Sequence, residues 1–350
     1  MGDNTNDTGF LRLTNVRIPR EHLLSRWQEV TPEGKYLKSE KKTNSKVHYA
    51  TMVFTRGGMV RSAGGQLAKA VTNAIRYSCV RSQGFLQTKD TESFKSAERQ
   101  VIDYGVQRYR LFKQLATAYA IKFIGGWMLT KFKDLNGIQL DNLEALPEIA
   151  SSAAGLKGLC TFLAAQGIED CRKCCGGHGY LLASGIATQA ADYVWQTTAE
   201  GDFILMILQC SKFLVKTYNA SKEGKPASGP CVYLSGLSNP NFKISSAAPV
   251  PARRFEEFLN PQKIIEYYHY RALVAVSSVA EEVNASIAKG MQHDDAWNSV
   301  ANELANCVRA HCLSFILQTF YLQISSVEDK SCAAALTHVF FVFFVVLFIS

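Results

Sequence analysis

Apolar positions recur at helical intervals over most of this chain. From Met52 onward, Val60, Leu67, Ala68, Val71, Ala74 and Ile75 fall three, four and seven residues apart, the spacing that lines up one face of an α-helix. A second long helix is expected over Ser96–Lys131, with a break around Gly125-Gly126. Asp134–Pro147 reads as a connection, and Glu148–Cys174 as a further helix whose Ala and Gly content suits close packing. The apolar run Phe203–Leu208 opens another helix. Ala220–Arg254 is rich in Pro, Gly and Ser and lacks periodicity, so it reads as a linker. Helical patterning returns over Phe255–Gln323. Successive helices of this kind predict an all-α fold built of bundles.

The two ends differ from this pattern. Gly9–Arg20 reads as a short β-strand running into an extended, Pro-terminated segment, and Thr31–Ala50 as a charged, turn-rich loop. At the other end, Val339–Ile349 is strongly apolar but only eleven residues long. A helix needs about 20 such residues to span a bilayer, so a core helix is expected there and not a membrane span.

Composition narrows the classes. Among 350 residues, 47% are hydrophobic, enough for a sizeable core. The net charge of +8 reads either as a solvated basic surface or as attraction for anionic ligands. The basic residues are not interleaved with aromatics as a nucleic-acid groove would require. Ten cysteines lie scattered without paired spacing, which suits a reducing compartment better than a disulfide framework. Cys171, Cys174, Cys175 and His178 form one cluster with no second pair, so packing cysteines are expected and no metal.

Candidate chemistry concentrates in Cys171–Lys216. This block holds a glycine-rich turn, Gly176–Tyr180 (GGHGY), and a second turn, Ala199–Asp202 (AEGD), at the entrance to the Phe203 helix. Glycines let backbone approach a ligand closely, and a helix start presents free amides and a positive dipole end. GGHGY follows a helix and not a strand, so it is no Rossmann fingerprint. His178 either points toward a ligand or satisfies a local carbonyl. Glu200 is the carboxylate beside a Gly at a helix entrance and is the candidate base. The alternative is an ordinary residue in a capping turn with Asp202 as N-cap.

These residues carry a resemblance. GGHGY, then Thr198-Ala199-Glu200-Gly201-Asp202, then Leu208-Gln209 and Lys212-Phe213-Leu214 look like the peroxisomal acyl-CoA oxidases of the acyl-CoA dehydrogenase superfamily. Upstream, Arg76-Tyr77-Ser78-Cys79-Val80-Arg81-Ser82-Gln83 resembles the family's Arg-Tyr-Ser-x-Val-Arg-x-Gln, and Tyr109–Phe112 with Leu115–Ala120 resembles its second bundle helix. Downstream, Tyr270-Arg271-Ala272, Ala296-Trp297-Asn298 and Arg309-Ala310-His311-Cys312 follow its C-terminal domain. The resemblance implies FAD-dependent desaturation of acyl-CoA to trans-2-enoyl-CoA, with O2 reduced to H2O2, in peroxisomal fatty acid β-oxidation. It implies Glu200 as the base. It also implies Arg81, Gln83, Gly176, Gly177, Gly201 and Asp202 around the flavin dinucleotide, with Arg81, Gln83 and the GGHGY backbone reaching a flavin held by the neighbouring subunit. Phe203-Ile204 stands where the family has Asn-Thr, Ala199 replaces an aromatic residue, and Gly84 separates Gln83 from Phe85.

The match further implies a division into a remnant of the β-domain and its linker (1–50), a first flavin-site bundle (51–220), a linker (221–254) and a second, shortened bundle (255–350). The chain is thus expected to correspond to the C-terminal half of an oxidase, as a homodimer or as a heterodimer with a related oxidase. The alternative is a catalytically incomplete helical chain that dimerises with a full-length oxidase. A carrier-linked acyl-CoA dehydrogenase is a third class. The chain ends Phe348-Ile349-Ser350, unlike a Ser-Lys-Leu signal.

Overall fold

A long helix rich in alanine and glycine, Leu146–Cys174, forms the axis of the molecule. The computed structural model describes residue 6 and residues 9–25, 28–38, 45–85, 98–137, 145–250 and 254–349. In chain order the helices are α1 (Ser45–Val80), α2 (Gly105–Gly137), α3 (Leu146–Cys174), α4 (Ile186–Tyr193) and α5 (Phe203–Lys222), then α6 (Pro261–Ala288), α7 (His293–Ser299), α8 (Ala301–Ser325) and α9 (Lys330–Ile349). Strands are few: β1 (Gln28–Val30) pairs antiparallel with β2 (Tyr36–Lys38), and β3 (Ser82–Phe85) with β4 (Glu98–Gln100).

The axial helix is buried because its small side chains let neighbours approach on several sides. α1, α2, α5 and α8 all pack on it, and Ala153, Ala154, Leu156, Leu159, Ala164 and Ile168 are fully enclosed. Its ends follow local rules. Pro147 sits in the first turn with Glu148, and Arg172 and Lys173 occupy the last turn, each charge opposing the helix dipole at its end. α6 starts in the same manner, with Asn260 accepting the amides of Gln262 and Lys263 ahead of Pro261.

One apolar core continues from Val53 in α1 to Phe344 in α9. Aromatic contacts join its second half to its first. Trp127 of α2 meets Phe315 of α8 edge-on at 4.7 Å, Phe123 meets Phe320 at 5.1 Å, and Phe320 meets Phe340 of α9 at 5.6 Å. As far as Phe344 the apolar tail thus packs as a core helix, and among the described residues no helix is long and apolar enough to cross a membrane. Among the described residues of Ala220–Arg254 there is no α-helix beyond Lys222, but Pro230, Cys231, Leu234 and Leu237 are buried in a 3-10 stretch packed on α5.

Several boundaries differ from expectation. Gly9–Pro19 forms no strand, and Phe10 and Leu11 lie exposed. A strand needs a partner to satisfy its backbone, and among the described residues none pairs with it. The short β segment sits later, as the β1–β2 hairpin, so Thr31–Ala50 is not one loop: it contains β2 and the start of α1. α2 begins at Gly105, because Glu98–Gln100 pairs with β3; residues 86–97 lie outside the described set.

The expected break at Gly125-Gly126 is absent, and α2 runs through it. Gly125 serves packing. A Cβ there would sit 2.7 Å from Arg61 Cα in α1, and one on Gly64 would sit 2.8 Å from Lys122 N in α2. The two glycines thus let α1 and α2 backbones meet closely from both sides. Gly126 is exposed, and a Cβ there would meet nothing. Gly126→Ala should stabilise the chain by about 0.4–1 kcal/mol, whereas Gly125→Ala should destabilise it by about 1–3 kcal/mol through overpacking. Denaturant midpoints distinguish the two, and equal tolerance of both would refute the close-approach account.

Candidate functional site

The turn that opens α5 is held from beneath by two buried cations. Asp202 caps the helix, its Oδ1 accepting the Leu205 amide at 2.7 Å. Just before it, Glu200 has φ +60° and Gly201 φ +110°. A left-handed conformation costs a non-glycine residue about 1–3 kcal/mol and persists where surroundings over-determine it. Those surroundings are Arg56 of α1 and Lys157 of α3, 2% and 0% exposed. Arg56 Nη2 donates to the Glu200 carbonyl at 3.3 Å, and its Nη1 donates to Gln209 Oε1 at 3.3 Å. Lys157 Nζ donates to the Gly201 carbonyl. The two carbonyls are drawn inward while Glu200 itself stays exposed. Gly201 is required on two counts: its φ, and the 2.3 Å that would separate an added Cβ from Met206 Cε.

Burial pushes the Lys157 ammonium down to about 8, helped by the Arg56 charge and opposed by Asp202 and Glu200. Neither cation was singled out from sequence. The signal was present: Arg56 sits on the same stripe as Val53, Val60 and Leu67, and Lys157 interrupts an otherwise small, apolar helix. A lone charge on a core-facing position is the pattern that marks such groups.

The other site candidates gather at the opposite end of α1. Arg81 follows the last turn, its amide bonded to the Tyr77 carbonyl at 2.8 Å and its own carbonyl to the Val101 amide at 2.8 Å. Gln83 lies in β3, and its carbonyl accepts the Tyr104 hydroxyl at 2.9 Å. Gly176–Tyr180 forms a 3-10 turn leaving α3, with Gly176 at φ +57°. His178 satisfies no local carbonyl through Nδ1; that nitrogen shares a hydrogen bond with the Tyr77 hydroxyl at 3.1 Å. Tyr77, Val80, Arg81, Ser82 and His178 line one recess of about 320 Å³. Gln107 ties the region together, donating to Ser78 Oγ at 3.0 Å and to the Cys174 carbonyl at 2.8 Å.

Arg81 and the GGHGY turn are therefore neighbours, and Glu200 is far from both. At 1.5 Å per residue, about 36 Å of α1 separates Arg56 from Val80 and about 25 Å of α3 separates Lys157 from Cys174. Cys171, Cys174 and Cys175 are buried, and burial raises all three thiols, Cys174 to about 11. They pack in the core while His178 turns to Tyr77.

Lys157 gives the stability of the chain a pH signature. Its folded-state value is depressed to about 8 from 10.5. Between those values the unfolded state binds more protons, so this group's contribution rises as pH increases. Denaturation of the chain and of Lys157→Met at neutral pH and near pH 10 should show the wild type gaining on the variant at the higher pH. A constant difference between the two proteins would contradict the buried, depressed lysine.

The acyl-CoA oxidase C-alpha1 domain matches residues 49–215, and the acyl-CoA oxidase model matches residues 260–349. The peroxisomal acyl-coenzyme A oxidase 1 of Phascolarctos cinereus is 35% identical over 333 residues, covering 95% of this chain and 49% of that protein. Acyl-CoA oxidase 1 of Arabidopsis thaliana superposes with a TM-score of 0.84 at 32% identity, over 95% of this chain and 48% of that one. Acyl-CoA oxidase-1 of Caenorhabditis elegans, solved with FAD and ATP, gives a TM-score of 0.76 at 29% identity, over 93% and 46%. The chain spans about half the length of the curated relatives it matches. With the first model falling on the helices that carry the two residue clusters and the second on α6–α9, the chain belongs to the acyl-CoA oxidase family.

Proposed function

We propose that this chain takes part in the FAD-dependent, peroxisomal oxidation of acyl-CoA to trans-2-enoyl-CoA, with Glu200 as the base. The observation that carries this is the Glu200–Asp202 turn, whose left-handed backbone is pinned by Arg56 and Lys157 at the entrance of α5. Removal of a weakly acidic α-proton needs a carboxylate fixed in place relative to its substrate. The pinned carbonyls fix the Glu200 backbone and leave its side chain facing outward to meet an acyl thioester. Proton abstraction at the α-carbon is then the role of Glu200. Asp202 holds the helix start, and Gly201 admits the turn.

The residues at the far end of α1 suit the diphosphate of a flavin dinucleotide. Arg81 is exposed beside the GGHGY turn and has no ion-pair partner among the described residues. A Cβ added to Gly176 or Gly177 would meet nothing, so that backbone is open to a ligand. Arg81 would take a phosphate through its planar fork, with Gln83 and the glycine amides beside it. FAD, when bound, supplies the hydride-accepting ring that O2 reoxidises with release of H2O2. Gly201 and Asp202 would border the flavin at the other cluster, where Phe203 is stacked on Phe162 at 4.8 Å and Ile204 is exposed.

The separation of the two clusters supports a dimer. About 36 Å of helix lies between the base and the diphosphate residues of one chain. A second subunit, identical or from a related oxidase, would therefore complete each site. FAD accompanies the relatives solved from Caenorhabditis elegans, and the curated relatives are named peroxisomal.

The test is a flavin spectrum and a peroxide assay on one sample. After incubation with FAD and removal of the free cofactor, the chain should retain a flavin band and release peroxide when given long-chain acyl-CoA in air. Glu200→Gln should keep the band and lose about 10²–10⁴-fold of the peroxide rate, while Arg81→Ala should lose the band. Peroxide that survives Glu200→Gln would remove Glu200 from its role. Neither band nor peroxide would leave only a chain that requires a full-length oxidase as partner.

A further inference from the structure

A second recess, of about 460 Å³, opens between α2, α3, α6, α8 and α9. It lies on the opposite side of α3 from the Glu200 turn. Its α3 residues, Leu159, Leu163, Gln166, Gly167 and Asp170, follow one helical face. Lys157, which reaches Gly201, is about 200° around the helix from Leu159. The size falls within the range of small-molecule sites.

Charge and apolar surface meet in this recess in an ordered way. Leu159, Leu313 and Phe343 are buried and form an apolar floor. Lys113 of α2, Arg271 of α6 and Arg309 of α8 converge on the same space. None of these three cations has an ion-pair partner among the described residues. The one carboxylate in the lining, Asp170, is already engaged: Arg110 Nε donates to its Oδ1 at 3.0 Å, Arg110 Nη2 bridges to the same oxygen, and Gln114 Nε2 donates to Oδ2 at 3.1 Å. Arg110 neutralises that charge, so the recess keeps a positive excess. Like charges brought together from three helices repel one another, and an anion between them relieves the repulsion. Arginine forks donate to carboxylate and phosphate oxygens in pairs. The floor beneath offers nothing to a polar tail.

We propose that this recess binds an amphiphilic anion, an apolar chain ending in a carboxylate or phosphate, at a site separate from both the Glu200 turn and the Arg81 cluster. The head group lies among Lys113, Arg271 and Arg309, and the chain lies over Leu159, Leu313 and Phe343. This does not rest on the flavin chemistry, and its test does not need catalysis.

Isothermal titration of the full chain with decanoate, decyl phosphate, inorganic phosphate and decanol separates the contributions. Decanoate or decyl phosphate should saturate at one per chain, with affinity falling as salt is raised. The double variant R271A/R309A changes exposed residues, and its thermal melt checks that it stays folded. It should raise the Kd about tenfold or more. Leu163→Trp, which occludes the floor, should weaken decanoate more than inorganic phosphate. Preference for decanoate over decyl phosphate would identify a fatty carboxylate as the source, and the reverse an alkyl phosphate. The proposal is overturned if decanol binds as well as decanoate, if inorganic phosphate binds as tightly as decyl phosphate, if the double variant binds unchanged, or if no compound binds.

Discussion

The architecture depends on one buried helix made largely of small residues. α3 admits α1, α2, α5 and α8 to its surface because Ala153, Ala154 and Ala164 present little more than backbone to their neighbours. Such close packing is dense, and interiors of this density transmit small displacements without absorbing them. A charged side chain on this helix is then an unusual expense, since burying an ammonium is unfavourable unless it is hydrogen-bonded. Lys157 meets that condition through the Gly201 carbonyl. The stability of the core and the conformation of the Glu200 turn are therefore linked through this side chain, as they are through Arg56 of α1.

The fold class was legible because helical periodicity is a strong signal in long segments. Val60, Leu67, Val71 and Ala74 placed α1 on the correct face, and Glu148–Cys174 was located to within two residues of α3. What failed were features set by tertiary partners. Gly125 looks like a helix breaker along the chain, but its role is to let Arg61 approach from another helix. Gly9–Pro19 has strand-like alternation yet no neighbouring strand, and alternation alone does not supply hydrogen bonds. The end of α1 was also blurred, because Ser82–Phe85 pairs with a strand beyond a long connection.

The candidate site was legible in unequal parts. The motif residues Glu200, Gly176, Gly177 and Arg81 stand out by composition and by resemblance. Their mutual placement does not, since no local pattern reveals that Arg56, within α1, and Arg81, just past its end, serve different clusters. Arg56 and Lys157 were harder still. Each is one charge in an apolar context, and only the geometry shows them reaching backbone carbonyls of residues more than 40 positions away in sequence. The Phe203 substitution has a visible structural use, in that its ring stacks on Phe162; nothing in the structure explains Ala199.

The unbroken run of α1 has a consequence for how this protein tolerates change in length. A helix is a fixed measure: one residue added or removed shifts everything beyond it by about 1.5 Å and turns it by about 100°. Because α1 touches the Glu200 turn through Arg56 and leads directly into Arg81 after its last turn, a single insertion between them would rotate one cluster relative to the other. α1 therefore behaves as a ruler that fixes both the distance and the angle between the two clusters.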